Sequence, residues 1–127
     1  MMFLRYSLWV ALGGALGAVF RFWVAECVHV FFERGFPYGT LFVNVLGSFL
    51  MGFLSFYLFH RFSFSAVTRS FLLIGLLGAF TTFSTFSLDT VNLFISGRLG
   101  LGLLYVGLSV LLCVFFAGLG MWLGEVI

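Results

Sequence analysis

The segment Thr81-Thr82-Phe83-Ser84-Thr85-Phe86-Ser87 places five hydroxyls and two phenyl rings in seven consecutive residues. A hydroxyl both donates and accepts hydrogen bonds, and a phenyl ring carries a positive edge around a negative face. Phe83 and Phe86 are three apart and so share one side of a helix. Ring edges turned toward a pathway solvate an anion weakly, which suits conduction because the ion must leave as readily as it enters. Ordinary packing is the competing reading in a chain with 20 phenylalanines, but hydroxyls on both sides of these two favour the pathway. Gly75 and Gly78 precede the run, and hydroxyls bonding to nearby carbonyls loosen a helix. A helix broken here is predicted, with unwound carbonyls of the kind that hold a cation such as sodium.

Two further pairs have the same character. Thr40 and Asn44 are four apart, as are Tyr105 and Ser109, so each pair projects from one helix face. Asn44 offers two donors and an acceptor; interhelical glue and pathway lining are both open to it. Tyr105 alone reads as an interfacial anchor and Ser109 alone as a packing residue, whereas in line with the other clusters they continue a polar track. Cys113, one turn beyond Ser109, is a much poorer donor. Arg21 is read either as a cation reaching back to the interface or as a fixed charge at a vestibule that draws anions in.

These groups sit on long apolar elements. Of the 127 residues, 63% are hydrophobic and 8% charged, against about 25% charged in a soluble domain. Water-facing surface cannot be built from that supply, and the sequence predicts an all-α integral membrane protein. A helix crosses the hydrocarbon layer with about 20 apolar residues, and four runs qualify, at roughly 6–32, 38–60, 69–96 and 99–127. The first run is too long for a cleavable signal and is read as a retained helix. Connections this short force neighbouring spans to run antiparallel, within a single membrane domain, 1–127. Gly13 and Gly17, Gly120 and Gly124, and Ser48 and Gly52 form small-xxx-small pairs, the pattern of closely packed membrane helices.

The charge balance excludes some partners. A net charge of +2 without lysine argues against nucleic acid. Cys27 and Cys113 have neither metal spacing nor a disulfide framework, and no catalytic constellation is visible, so an enzyme is not expected. Arg5, Arg61 and Arg69 flank one side of the predicted spans, Arg34 and Arg98 the other, with Arg21 in the outer part of the first. Such a balance gives the arginine rule almost nothing to act on. It predicts insertion in both orientations and an antiparallel dimer; one orientation held by interfacial aromatics is the alternative.

Taken in order, four motifs resemble the Fluc (CrcB) family of fluoride channels over essentially the whole chain. They are Gly13-Gly14-Ala15-Leu16-Gly17-Ala18 with Arg21; Gly39-Thr40-Leu41-Phe42-Val43-Asn44; Gly75-Leu76-Leu77-Gly78 running into Thr81-Thr82-Phe83-Ser84-Thr85-Phe86; and Tyr105 with Ser109. The third is highly specific, the first weak by itself. The resemblance implies an antiparallel, dual-topology homodimer in the bacterial inner membrane, with two pathways for passive export of fluoride. Phe83 and Phe86 would line each pathway with Asn44 close by, and Thr40, Ser84, Thr85, Tyr105 and Ser109 would lie along the polar track. Arg21 would stand at a vestibule. The carbonyls of Gly78 and Thr81 from both subunits would hold one structural sodium ion. Cys113 departs from the serine that family members can carry there, which makes that end of the track drier, and Asp89 stands where glutamate can appear; no role is assigned to it. The alternative is a proton-coupled exporter of the small multidrug-resistance type. That needs an embedded glutamate in the first helix, and here Glu26 lies toward its end while Arg21 would repel cationic drugs.

Overall fold

The computed structural model describes residues 1–127. It is all helical, with four helices long and apolar enough to cross a membrane: Met2–Phe31, Tyr38–Arg61, Ala66–Ile95 and Leu99–Val126. At about 1.5 Å per residue, the 30 residues of the first exceed the roughly 30 Å of hydrocarbon they must cross. We label Met2–Phe31 α1 and Tyr38–Arg61 α2. The third span consists of α3, residues 66–80, and α4, Phe83–Ile95; Leu99–Val126 is α5.

The bounds differ from the sequence expectation at two starts. The first helix begins at Met2 rather than Tyr6. The third begins at Ala66 because Ser65 caps it, its side chain accepting from the Thr68 amide at 3.3 Å; this is the usual use of serine just before a helix. Two stretches, Tyr57–Arg61 and Ser70–Leu77, wind as wider π-helical turns. The turn into α5 is made at Gly97, where φ is +81° and a side chain would be strained.

Helices pair through their glycines. In lipid, apolar burial gives little drive for association, so close backbone approach and dispersion contacts must supply it. α1 packs on α3 and α2 on α5. A methyl group added at Gly13 or Gly17 would run into the carbonyls of Phe71 or Leu76, and one at Gly75 would stand 2.7 Å from the Val10 carbonyl. On the other pair, Gly52 faces the Ala117 carbonyl, and Gly120 and Gly124 face those of Phe49 and Phe53.

Arginines tie the ends together. Arg98 Nη1 donates to the Gly35 carbonyl at 2.8 Å. Arg61 donates to the carbonyls of Glu125 and Ile127, groups a helix C-terminus leaves without partners. Only 20 of 127 residues are buried, and large apolar side chains from Phe3 to Trp122 look outward. The chain is therefore coated in hydrocarbon, as a protein solvated by lipid tails requires.

Candidate functional site

The third span leaves helical geometry at two residues. Thr81 and Thr82 hold extended dihedrals, with ψ 157° at the first and φ −150° at the second. The backbone groups of Thr82 find partners outside the helical ladder. Asn44 Oδ1 accepts from the Thr82 amide at 2.8 Å, and Asn44 Nδ2 donates to the Thr82 carbonyl at 3.0 Å. Thr81 turns back, its amide and hydroxyl both donating to the Leu77 carbonyl at 3.1 Å. Thr82 Oγ1 then caps α4, accepting from the Thr85 amide at 3.2 Å and donating to Thr85 Oγ1 at 3.2 Å. Gly47 makes room for the bend, since a methyl there would collide with the Thr81 side chain.

The break takes the helical partner from four carbonyls, those of residues 78–81. A continuous α-helix would pair the Gly78 oxygen with the Thr82 amide and the Thr81 oxygen with the Thr85 amide. Those amides instead meet Asn44 Oδ1 and Thr82 Oγ1.

A cavity of about 410 Å³ lies beside the bend. It brings together Asn44, Phe83, Phe86 and Ser109 of the anticipated pathway, along with Thr81 and Cys113. The two phenyl rings touch, with centroids 5.4 Å apart and planes at 53°, but their settings differ. Phe86 is 9% exposed and leans on Tyr105, whereas Phe83 is 78% exposed on the surface of the chain. Ser109 is 6% exposed and its buried Oγ has no hydrogen-bond partner.

A second cavity of about 200 Å³ collects Arg21, Thr40, Thr85 and Thr82. Arg21 is half-buried there and makes no hydrogen bond or ion pair. Thr82 borders both cavities. Ser84 lies outside both, exposed, with its hydroxyl 3.2 Å from that of Thr82.

Tyr105 lies in neither cavity. It is fully buried, packed against Phe36 at 5.5 Å and Phe86 at 5.2 Å between ring centroids, and its hydroxyl donates to Asp89 Oδ2 at 3.2 Å. The anchor reading of Tyr105 thus gives way to a core position. Asp89, given no role from sequence, is the acceptor that makes burying this phenol affordable. Sixteen residues separate the two, so only the packing of α4 on α5 brings them together. Thr82 was also missed as an organising residue, although a threonine three places before Thr85 at a helix start is a recognisable capping pattern.

Residues 8–121 match the family described as CrcB-like protein, Camphor Resistance (CrcB). The chain belongs to the CrcB-like family. A relative from Magnetococcus marinus is 54% identical over 120 residues, which cover 94% of this chain and 97% of that protein. Another, from Methylococcus capsulatus, is 52% identical over 118 residues, 93% of this chain; the chain spans half the length of that relative. A third, from Hydrogenovibrio crunogenus, is 46% identical over 116 residues, covering 91% of this chain and 88% of that one. Each of the three bears the name fluoride-specific ion channel FluC. With its four apolar spans and bacterial kin, this CrcB-like chain is a multi-pass bacterial membrane protein.

Proposed function

We propose that the chain is a fluoride-selective channel that lets fluoride leave the cytoplasm passively. The observation that carries this reading is the near full-length identity to the Magnetococcus marinus channel. The site geometry supports it. Fluoride is small and hard, and several short hydrogen bonds must replace its water. The cavities offer neutral donors: the second Asn44 N–H, threonine hydroxyls and phenyl edges. Neutral donors hold an anion without trapping it. Arg21 supplies a fixed positive charge beside Thr40 and Thr85, which raises the local anion concentration and disfavours cations.

On this reading the working unit is an antiparallel homodimer in the inner membrane, its third spans broken at the bilayer midplane. The exposure of Phe83 supports a second copy, because a phenyl ring beside hydroxyls at a cavity mouth becomes a pathway wall only when another surface closes it. The released carbonyls of Gly78 and Thr81 suit sodium, a hard cation that prefers neutral oxygen ligands. Two from each subunit would provide four. Bound there, sodium would neutralise opposed carbonyl dipoles and fasten the two bends to each other.

The exporter alternative has less to stand on. Glu26 is paired with Arg34 at 2.9 Å on an exposed end of α1, far from the setting in which a carboxylate would exchange protons at mid-membrane.

Liposomes loaded with potassium fluoride, carrying purified protein and valinomycin, test the function with a fluoride electrode. Rapid fluoride efflux without chloride efflux is the expected result. Absence of efflux from folded, dimeric protein overturns the reading.

A further inference from the structure

Arg21, Ala25 and His29 follow one another at four-residue intervals, so they share one face of α1. That face meets the start of α2. Arg21 and Ala25 line the 200 Å³ cavity together with Thr40, and His29 Nε2 accepts from the Gly39 amide at 3.2 Å. Gly39 permits the approach, since a methyl there would stand 2.9 Å from Nε2 and 3.0 Å from the Ala25 carbonyl. The first amides of a helix have no carbonyl behind them to receive their protons, and Pro37, the residue before α2, supplies no side-chain cap. The Tyr38 amide turns back to the Phe36 carbonyl at 2.8 Å. The next amide, that of Gly39, is taken by the imidazole.

This contact fixes the state of the ring. A ring nitrogen that accepts carries no proton, so His29 is neutral and holds its proton on Nδ1; an imidazolium has no acceptor to offer. Nδ1 is itself enclosed by the chain and has no partner, so the bond to Gly39, and not one at Nδ1, selects the tautomer. The same enclosure keeps any ligand from Nδ1. A ring seated in this way serves position and not binding.

We propose that His29 is a positioning residue for the Arg21 cavity: its Nδ1–H tautomer clamps the start of α2 to α1 and thereby holds Thr40 beside Arg21. Thr40 directly follows Gly39, and Arg21 lies eight residues back along the face that carries His29. Freed from the ring, the first turn of α2 can shift and take Thr40 away from the guanidinium. The effect on ion flow rests on the channel reading above; the ring contact does not.

The test uses the full chain in liposomes and compares His29→Leu, which keeps bulk without an acceptor, with His29→Gln, which keeps an acceptor at similar reach. Fluoride efflux should fall about 2- to 10-fold in His29→Leu, the factor that the net worth of one hydrogen bond corresponds to, and His29→Gln should restore most of it. A general loss of structure would act whatever stands at position 21. Arg21→Gln is therefore made alone and with His29→Leu, at protein densities that keep efflux above the leak of protein-free liposomes. The effect of His29→Leu should largely vanish in the Arg21→Gln background. Equal fold losses in both backgrounds, or parental efflux from His29→Leu, overturns the positioning role. Nitrogen NMR of histidine-labelled protein in mildly alkaline buffer reads the ring directly, with His60→Gln, exposed and outside both cavities, removing the other imidazole. A protonated Nδ1 with a bare Nε2 is expected, and a proton on Nε2 overturns the clamp. Efflux absent from the parent would instead count against the channel function, while the spectrum still reads the contact.

Discussion

Asn44 holds Thr82 by both of its backbone polar groups, accepting from the amide at 2.8 Å and donating to the carbonyl at 3.0 Å. One side chain from α2 therefore replaces the helical bonds that the third span gives up at its bend. The contact makes Asn44 an interhelical tie, as the glue reading has it, and Asn44 also lines the larger cavity.

Truncating Asn44 should loosen the bend. In Asn44→Ala both polar groups of Thr82 lose their partner, at about 1–3 kcal/mol for each buried group left unsatisfied. Asn44→Asp retains the acceptor for the Thr82 amide but turns an oxygen toward the Thr82 carbonyl. Thermal unfolding followed by tryptophan fluorescence in detergent should show both variants less stable than the parent. An unchanged midpoint in Asn44→Ala would refute the clamp.

Tyr105 and Asp89 form a second coupled pair. Tyr105→Phe leaves Asp89 without its donor, and Asp89→Ala leaves the buried phenol without an acceptor. Contacting residues in one hydrogen bond typically show coupling of about 0.5–3 kcal/mol. A double-mutant cycle on thermal or urea stability should find the double variant less damaged than the sum of the singles. Strict additivity would mean that the 3.2 Å contact contributes nothing.

Glycine positions should divide sharply by what faces them. Gly17→Ala and Gly120→Ala drive a methyl into the carbonyls of Leu76 and Phe49. Backbone cannot yield as a side chain does, so the cost should reach or exceed the roughly 1–3 kcal/mol of core overpacking. Gly107→Ala and Gly118→Ala meet nothing within 4 Å and should express as the parent does. Gel filtration separates the outcomes: a folded peak for the latter pair and aggregate or loss for the former. Equal behaviour of all four would contradict the packing.

The two phenylalanines should fail differently. Phe86→Ala opens a void against Tyr105, for which the soluble-core figure of about 3–5 kcal/mol is an upper limit, because lipid removes most of the transfer contribution. Phe83→Ala removes a ring that is mostly exposed in the protomer and should leave its stability nearly unchanged while reducing fluoride efflux. Paired stability and efflux measurements read both effects; a Phe83→Ala protein with parental efflux would remove that ring from the pathway.

Replacing sodium with N-methylglucamine throughout purification should lower the thermal midpoint of the assembled protein, and adding sodium back should restore it. Insensitivity to the exchange would argue that the Gly78 and Thr81 carbonyls are satisfied without the ion.

What the sequence determined by itself was the solvent and the inventory. Four apolar runs without lysine leave no other way to satisfy the backbone than helices in lipid, and the polar residues stranded within them had to be exceptions with partners. Glycines and a run of hydroxyls weaken a helix wherever they stand, and Thr81 and Thr82, the two residues outside helical geometry, lie in that run. The tertiary structure decided which exception meets which. Periodicity places Thr40 with Asn44 and Tyr105 with Ser109 on common faces, but it carries no information about the helix opposite. Packing of α2 and α5 around the bend sends Thr40 to one cavity and Asn44 to another, turns Tyr105 into the core against Asp89, and buries the Ser109 hydroxyl without a partner. Those outcomes depend on contacts across 16 to 38 residues of chain, and glycines too small to signal their partners in sequence set how closely the helices approach.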